Sequence, residues 1–325
     1  MNATLEMKCL VKRVVGSVAP WLGVVGVNYH RIGDGRSSPF DRGLWSATPE
    51  ALDAQLRWLK SHFDVISPRE IAYVVRVRRG RHVVVTFDDG YLDNFTTAYP
   101  ILRSNRVPAT FFVSTGFLDN PRLPWWDEIA WMVRTSARPG IELRSHLSSP
   151  IIFDKPDRQK AIRALLRIYY RLSSGQCAAF MDALAQATGT GRYVDVREHH
   201  WMTWDMVREM RAGGMTIGGH TVNHPVLARL SRDEQRSEIV GCRRRLEEEL
   251  GVPMRSFAYP VGQLDSFNVE TRECLREAGV QTAFSYYGGF RPIESWDDYD
   301  VRRIPIEQSD TFDEFRAKVT APGLT

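Results

Sequence analysis

Several features that would place this sequence elsewhere are missing from it. Its four cysteines, Cys9, Cys177, Cys242 and Cys274, form no C-x-x-C pair and no metal-binding spacing. That argues against a disulfide scaffold or a zinc knuckle, and they read as thiols in a reducing compartment. No stretch reaches the roughly 18 apolar residues of a membrane-spanning helix. No repeat with a period of roughly 20–50 residues occurs, which removes solenoids and propellers. One-sided charge is absent too, since 43 Lys and Arg stand against 39 Asp and Glu, a net +4 over 325 residues. The basic runs Arg76–Arg81 and Arg243–Arg245 are short, and the second lies on a Glu-rich helix that reads as a solvated face. No nucleic-acid partner is expected.

What is present is ordinary for a soluble globular protein: 43% hydrophobic residues, 25% charged, 24 Gly and 17 Pro. Near the start, Lys8, Lys12 and Arg13 precede an apolar run over Val14–Val25 that superficially resembles a signal peptide. Pro20 interrupts it, and Val24–Tyr29 reads as the first strand of the fold. Residues 4–19 read instead as an amphipathic helix, with Met7, Leu10, Val11, Val14, Val15 and Val18 on one face and Lys8 and Lys12 on the other. Such a helix either packs on its own domain or lies on an anionic membrane surface. The expected location is cytoplasmic, with peripheral contact at the inner membrane face through this helix.

Short β-branched runs alternate with helical patterns along the chain. Strands are predicted at Val24–Tyr29, Val83–Phe87, Thr110–Val113, Met215–Gly218, Ser256–Tyr259, Thr282–Ser285 and Val301–Ile306. Helices are predicted at Pro49–His62, Asp93–Asn105, Trp204–Ala212, Arg232–Leu250 and Asn268–Ala278. Apolar strands alternating with helices define an α/β fold with a parallel sheet or barrel. The region from about Phe117 to His200 breaks this rhythm, with helical stretches at Trp125–Arg134, Asp157–Leu172 and Gly175–Thr188 but no strong strand signal. It reads as a largely helical insertion. Its opening, Leu123-Pro-Trp-Trp-Asp-Glu-Ile-Ala-Trp131, supplies either a small core of its own or an aromatic lid, or both.

Two segments carry chemistry. In His82-Val-Val-Val-Thr-Phe-Asp-Asp-Gly-Tyr91 an apolar strand runs directly into paired carboxylates, Asp88 and Asp89, at the strand end where α/β folds gather their sites. Taken alone, the same pattern suits a polar loop capping the next helix. In Ile217-Gly-Gly-His-Thr-Val-Asn-His-Pro225 two imidazoles, His220 and His224, stand four residues apart after another strand. They are either turn histidines or ligands of a divalent metal. Together the segments would converge on one rim of the sheet. Two His and one carboxylate leave open positions where a metal could lower the pKa of water from about 15.7 to about 7, with the second carboxylate free to act as base.

At this point the sequence resembles a family. Thr86-Phe-Asp-Asp-Gly90, His220-Thr-Val-Asn-His224 and Arg255-Ser-Phe-Ala-Tyr-Pro-Val-Gly262 are similar to the three principal motifs of the polysaccharide deacetylases, the NodB-homology or carbohydrate esterase family 4 group. The Tyr29-His-Arg31 opening resembles the circularly permuted branch that acts on biofilm polysaccharides. The resemblance implies a distorted (β/α) barrel, carried here by 23–116 and 201–325; the amphipathic pattern gives an N-terminal helical segment over 1–22, and the break in rhythm gives an inserted helical segment over 117–200. It implies Asp89, His220 and His224 as metal ligands, Asp88 as general base and Arg255 orienting Asp88. Tyr259, Pro260 and Gly262 would line the groove; Tyr91, next to the Asp pair, and Trp125 and Trp126, at the opening of the insertion, are further candidates for contact with substrate. Zinc fits His2Asp, and cobalt, nickel or iron takes the same ligands.

The family's usual general acid, a Leu-His near the C-terminus, has no counterpart, because no His follows His224. His30, at the carboxyl end of the first strand, is the substitute, with His199 and His200 behind it. The implied activity is removal of an N-acetyl group from an amino sugar of a glycan or of a glycan precursor, including a lipid-linked one. A sugar deformylase and a non-catalytic sugar-binding protein are the alternatives on the same fold.

Overall fold

The computed structural model describes residues 21–143, 149–153, 158–194 and 200–324. The amphipathic helix expected over 4–19, Cys9, and His199 lie outside the described residues. Eight parallel strands form the main sheet: β1 (Gly23–Tyr29), β2 (Asp64–Val65), β3 (Arg81–Phe87), β4 (Thr110–Val113), β5 (Thr216–Gly219), β6 (Ser256–Ala258), β7 (Thr282–Phe284) and β8 (Arg303–Pro305). Their spatial order is β7-β6-β5-β4-β3-β1-β8, with β2 added to β3. The sheet closes on itself where Phe284 bridges Val301, just before β8. The first strand therefore lies between the third and the last, the position a permuted chain requires. The result is a distorted (β/α) barrel.

Side-chain alternation sorts the barrel into two cores. Val25, Val27, Val83, Val85, Phe111, Val113 and Phe257 face outward to the helices. Val24, Val84, Phe112, Ala258, Phe284 and Val301 fill the interior, joined by Ile71 and Val74 of the helix Ile71–Val77. Above this small apolar plug the interior turns polar: Asn28, Thr86, Asp88, Ser285 and Arg303 are all buried. Gly26 makes room for it, because a Cβ there would stand 2.6 Å from Arg303 Cγ.

The helices start and stop where local chemistry dictates. Thr48 caps Pro49–His62 by accepting from Ala51 N–H, and Ser231 with Glu234 forms a capping box on Arg232–Leu250, which ends at left-handed Gly251. The helix expected from Asp93 opens as a π turn over Asn94–Ala98 before Tyr99–Asn105 becomes α-helical. Asp93 holds the start of this turn, accepting from Arg31 Nε at 2.9 Å and Ile32 N–H at 2.8 Å. Three short helices, Ile71–Val77, Thr115–Asp119 and Phe312–Thr320, were not legible from periodicity. Between Phe117 and Trp201 the helices Trp125–Thr135, Gln159–Tyr169 and Ser174–Thr188 pack around a separate apolar cluster that includes Trp126, Ile129, Leu165 and Phe180. A two-residue antiparallel ladder, Gly140–Ile141 with Ile151–Ile152, lies in the region that carries no strong strand signal. No helix among the described residues is long and apolar enough to cross a membrane.

Candidate active site

The carboxyl ends of β1, β3, β5, β6 and β7 lead into one cavity of about 510 Å³, whose lining includes His30, Asp88, Asp89, His220, His224 and Tyr286. The loops that reach it are strained. Asp89, Thr221, His224 and Val261 all adopt left-handed backbone conformations, with φ of 76°, 65°, 55° and 64°. Each such residue costs on the order of 1–3 kcal/mol, and such strain concentrates at functional sites. Gly90, at φ 95°, follows Asp89 and carries the chain away from the floor of the cavity.

Asp89, His220 and His224 are buried and offer one ligand atom each, all within 4.8 Å of one another. Asp89 Oδ1 lies 3.5 Å from His220 Nε2 and 3.4 Å from His224 Nε2, yet makes no hydrogen bond. A buried carboxylate oxygen left this way suits a cation between the three. His220 Nδ1 lies 2.8 Å from the Ala258 carbonyl, which makes Nδ1 the donor and turns the Nε2 lone pair towards Asp89. Burial and the neighbouring His220 push the His224 imidazole down to about 3, so it is neutral and ligand-competent at neutral pH. Burial pushes the Asp89 carboxyl up, but the contacts with His220 and His224 outweigh it and hold it down to about 2. The donor set fits a divalent cation.

The histidine loop is clamped from outside. Glu238 Oε2 accepts from Val222 N–H and Asn223 N–H, both at 2.8 Å, and Oε1 accepts from Asn223 Nδ2 at 2.7 Å. Trp125 Nε1 donates to the His224 carbonyl at 3.1 Å, and the Trp126 ring centroid lies 4.3 Å from that of His224. Both tryptophans line the cavity.

Asp88 stands beside the ligand set, and its partner corrects the sequence reading. Arg303, fully buried on β8, donates from Nη1 to Asp88 Oδ1 at 2.7 Å and from Nη2 to Oδ2 at 2.8 Å. Asn28 Nδ2 adds a bond to Oδ2 at 3.2 Å. Arg303 is itself held by Asn28 Oδ1 at 2.6 Å and by the Ser285 carbonyl at 3.0 Å. Burial pushes the Asp88 carboxyl up, but the Arg303 guanidinium brings it below the usual carboxylate range. Arg255, expected in this role, is exposed and precedes β6, at the opposite end of the parallel sheet from Asp88. Nothing along the chain separates Arg303 from Arg302 in Val301-Arg-Arg-Ile-Pro-Ile306; of the two, only Arg303 is fully buried, and a strand buries such a charge only with a partner.

Three further expectations change. Tyr91 is buried and does not line the cavity; its hydroxyl donates to Asp127 Oδ2 at 2.7 Å and accepts from Trp126 Nε1 at 2.8 Å. Pro260 and Gly262 are buried and flank Val261, which is the residue of that turn on the cavity. Gly262 lets Tyr286 approach, since a Cβ there would stand 2.5 Å from Tyr286 Cβ. Tyr259 does line the cavity, but its hydroxyl donates to the Tyr299 carbonyl at 2.9 Å. His30 lines the cavity with Tyr286 beside it, ring centroids 5.3 Å apart. Asp41, Gln159, Arg163 and Arg167, which sequence reading did not single out, line it as well.

A parallel (β/α) barrel with a buried Asp-His-His set and an arginine-paired aspartate at one rim defines a hydrolase-like class of site. The polysaccharide deacetylase family model matches residues 76–168 and 176–283, and the chain belongs to that family. It is 20% identical over 257 residues to YxkH of Bacillus subtilis, a protein assigned to the polysaccharide deacetylases, covering 78% of this chain and 61% of YxkH. It is 31% identical over 147 residues to the poly-β-1,6-N-acetyl-D-glucosamine N-deacetylase of Escherichia coli, covering 39% of this chain and 21% of that one. The chain thus spans less than two thirds of the length of either relative. Among solved structures, the Streptococcus pyogenes deacetylase PplD in complex with acetate superimposes with a TM-score of 0.61 at 18% identity, over 94% of this chain and 100% of that one.

Proposed function

We propose that the protein is a metal-dependent carbohydrate N-deacetylase that hydrolyses the acetamide of an N-acetylated amino sugar. The observation that carries this reading is the Asp89–His220–His224 set beside the Asp88–Arg303 pair on one cavity floor. Family membership supports it, and so does the name of the E. coli relative, which acts on a polymer of N-acetyl-D-glucosamine.

Asp89, His220 and His224 would hold the metal; zinc and its divalent neighbours suit two imidazoles and a carboxylate, and the cation supplies Lewis acidity towards water and the acyl carbonyl. Asp88 takes the proton from the attacking water. Its two oxygens are fixed by Arg303 and Asn28 but keep lone pairs for that proton. His30, on the same cavity from a different strand, gives a proton to the departing amine. Trp125, Trp126, Tyr170 and Tyr286 offer apolar faces to a sugar ring, so the 117–200 segment supplies one wall of the substrate site.

The test is acetate release from N-acetylated sugars by metal-reconstituted protein. Asp88→Asn should lower turnover by about 10²-fold or more while retaining metal, and stripping the metal should abolish turnover. Undiminished release by Asp88→Asn, or by metal-free protein, would overturn the assignment.

A further inference from the structure

One face of the helix Gln159–Tyr169 carries Gln159, Arg163 and Arg167 at four-residue spacing, and all three line the cavity that holds Asp88, Asp89 and the two histidines. Several arginines elsewhere on the surface are tied to acids: Arg232 to Glu277, Arg244 to Glu248, Arg245 to Asp119, Arg192 to Glu128. Arg163 and Arg167 have no such partner among the described residues. Arg167 Nε donates only to the Arg163 carbonyl, at 3.2 Å. Like charges one turn apart weaken a helix, so folding alone gives no reason for this pair at the mouth of the site.

The charge pattern continues next door. A second cavity of about 620 Å³ shares Gly43, Gln159, Arg163 and Glu307 with the first and adds Arg36 and Arg42. Glu307 is the acid facing both cavities, and Arg36 is paired with Asp34. On the floor, Arg303 neutralises Asp88. Asp41 and Asp89 also line the first cavity, deeper than the exposed arginines, and the mouth presents two planar guanidinium forks without acid partners among the described residues, a geometry suited to phosphoryl oxygens.

We propose that the substrate is an N-acetylamino sugar bearing a phosphoryl group, bound with that group on Arg163 and Arg167. The placement rests on the deacetylase reading, which sets the acetamide over Asp88. Two classes of molecule carry this chemistry: sugars linked through a diphosphate to a nucleoside and sugars linked through a diphosphate to a prenyl lipid.

Calorimetry on the metal-loaded protein with glucosamine and glucosamine 1-phosphate, which cannot be turned over, reads the site directly. Glucosamine 1-phosphate should bind at least about tenfold more tightly than glucosamine, and Arg163→Ala/Arg167→Ala should erase the preference. Both arginines are exposed, so the variant should keep the wild-type Tm. In the activity arm, kcat/KM is compared for UDP-N-acetylglucosamine, prenyl-diphosphate-linked N-acetylglucosamine and N-acetylated chitotriose. The double variant should lose about tenfold more on the preferred diphosphate substrate than on chitotriose; the better of the two diphosphates identifies the source. A preference that survives the double variant, as coordination to the metal would give, overturns the proposal, as does the absence of any preference. Binding preference without acetate release from any substrate would remove the deacetylase reading instead, so the two failures are distinct.

Discussion

Arg303 makes the sharpest prediction, because it tests the site and the fold together. Its side chain is fully buried, forms two charge-assisted bonds of 2.7 and 2.8 Å to Asp88 and runs across the barrel interior against Gly26. Arg303→Met keeps much of the volume and removes the charge, leaving Asp88 buried and unpaired. Breaking such a pair from one side costs about 3–5 kcal/mol. For a chain of this size each kcal/mol lowers Tm by roughly 2–3 °C, so a fall of roughly 6–15 °C is expected at neutral pH. Removing both charges is far less costly than removing one, so Arg303→Met/Asp88→Asn should regain at least half of that loss. Arg303→Lys keeps the charge but not the two-pronged contact and should fall between wild type and Arg303→Met. Arg255→Ala, at an exposed position, should stay within about 0.5 kcal/mol of wild type and keep its activity. Thermal and denaturant unfolding of the set, with acetate release alongside, is the assay. Arg303→Met within about 1 kcal/mol of wild type, or a double variant no more stable than the single, would refute the reasoning.

Two further outcomes follow from the geometry. Burial pushes the Asp127 carboxyl up to about 7, only partly opposed by Arg31 and the Asp41 N–H. The folded state therefore keeps a proton that the unfolded chain gives up near its ordinary value of 3.8, so stability falls as pH rises from about 4 to about 7 and is level above that. At most about 4 kcal/mol is involved, and Asp127→Asn should gain on wild type across that window in denaturant titrations; a difference independent of pH would refute it. For His30, replacement by Ala should lower kcat on the acetamide by about 10²–10⁴-fold but spare an acetyl ester of a phenol, whose leaving group needs no proton. Equal losses on both substrates would show that His30 does not deliver that proton.

The sequence alone settled whatever depends on neighbours along the chain. Alternating apolar runs and helix caps placed seven of the barrel strands and most of the long helices within a residue or two. Pro49–His62, Trp204–Ala212 and Arg232–Leu250 start where predicted because Thr48, Thr203 and Ser231 cap them locally. The Asp pair and the His pair were visible for the same reason, as compact motifs at strand ends. Tertiary structure alone decided which distant groups meet them. Arg303 reaches Asp88 across 215 positions because β8 closes the barrel beside β1, and Arg255 cannot, because a parallel sheet puts the start of β6 at the far end. Tyr91 left the groove for the same kind of reason: the turn after Gly90 points it back into the cluster with Asp127 and Trp126. The basic mouth, too, exists only once the helix Gln159–Tyr169 is folded over the barrel rim, since nothing in the local pattern of Arg163 and Arg167 tells which elements they face.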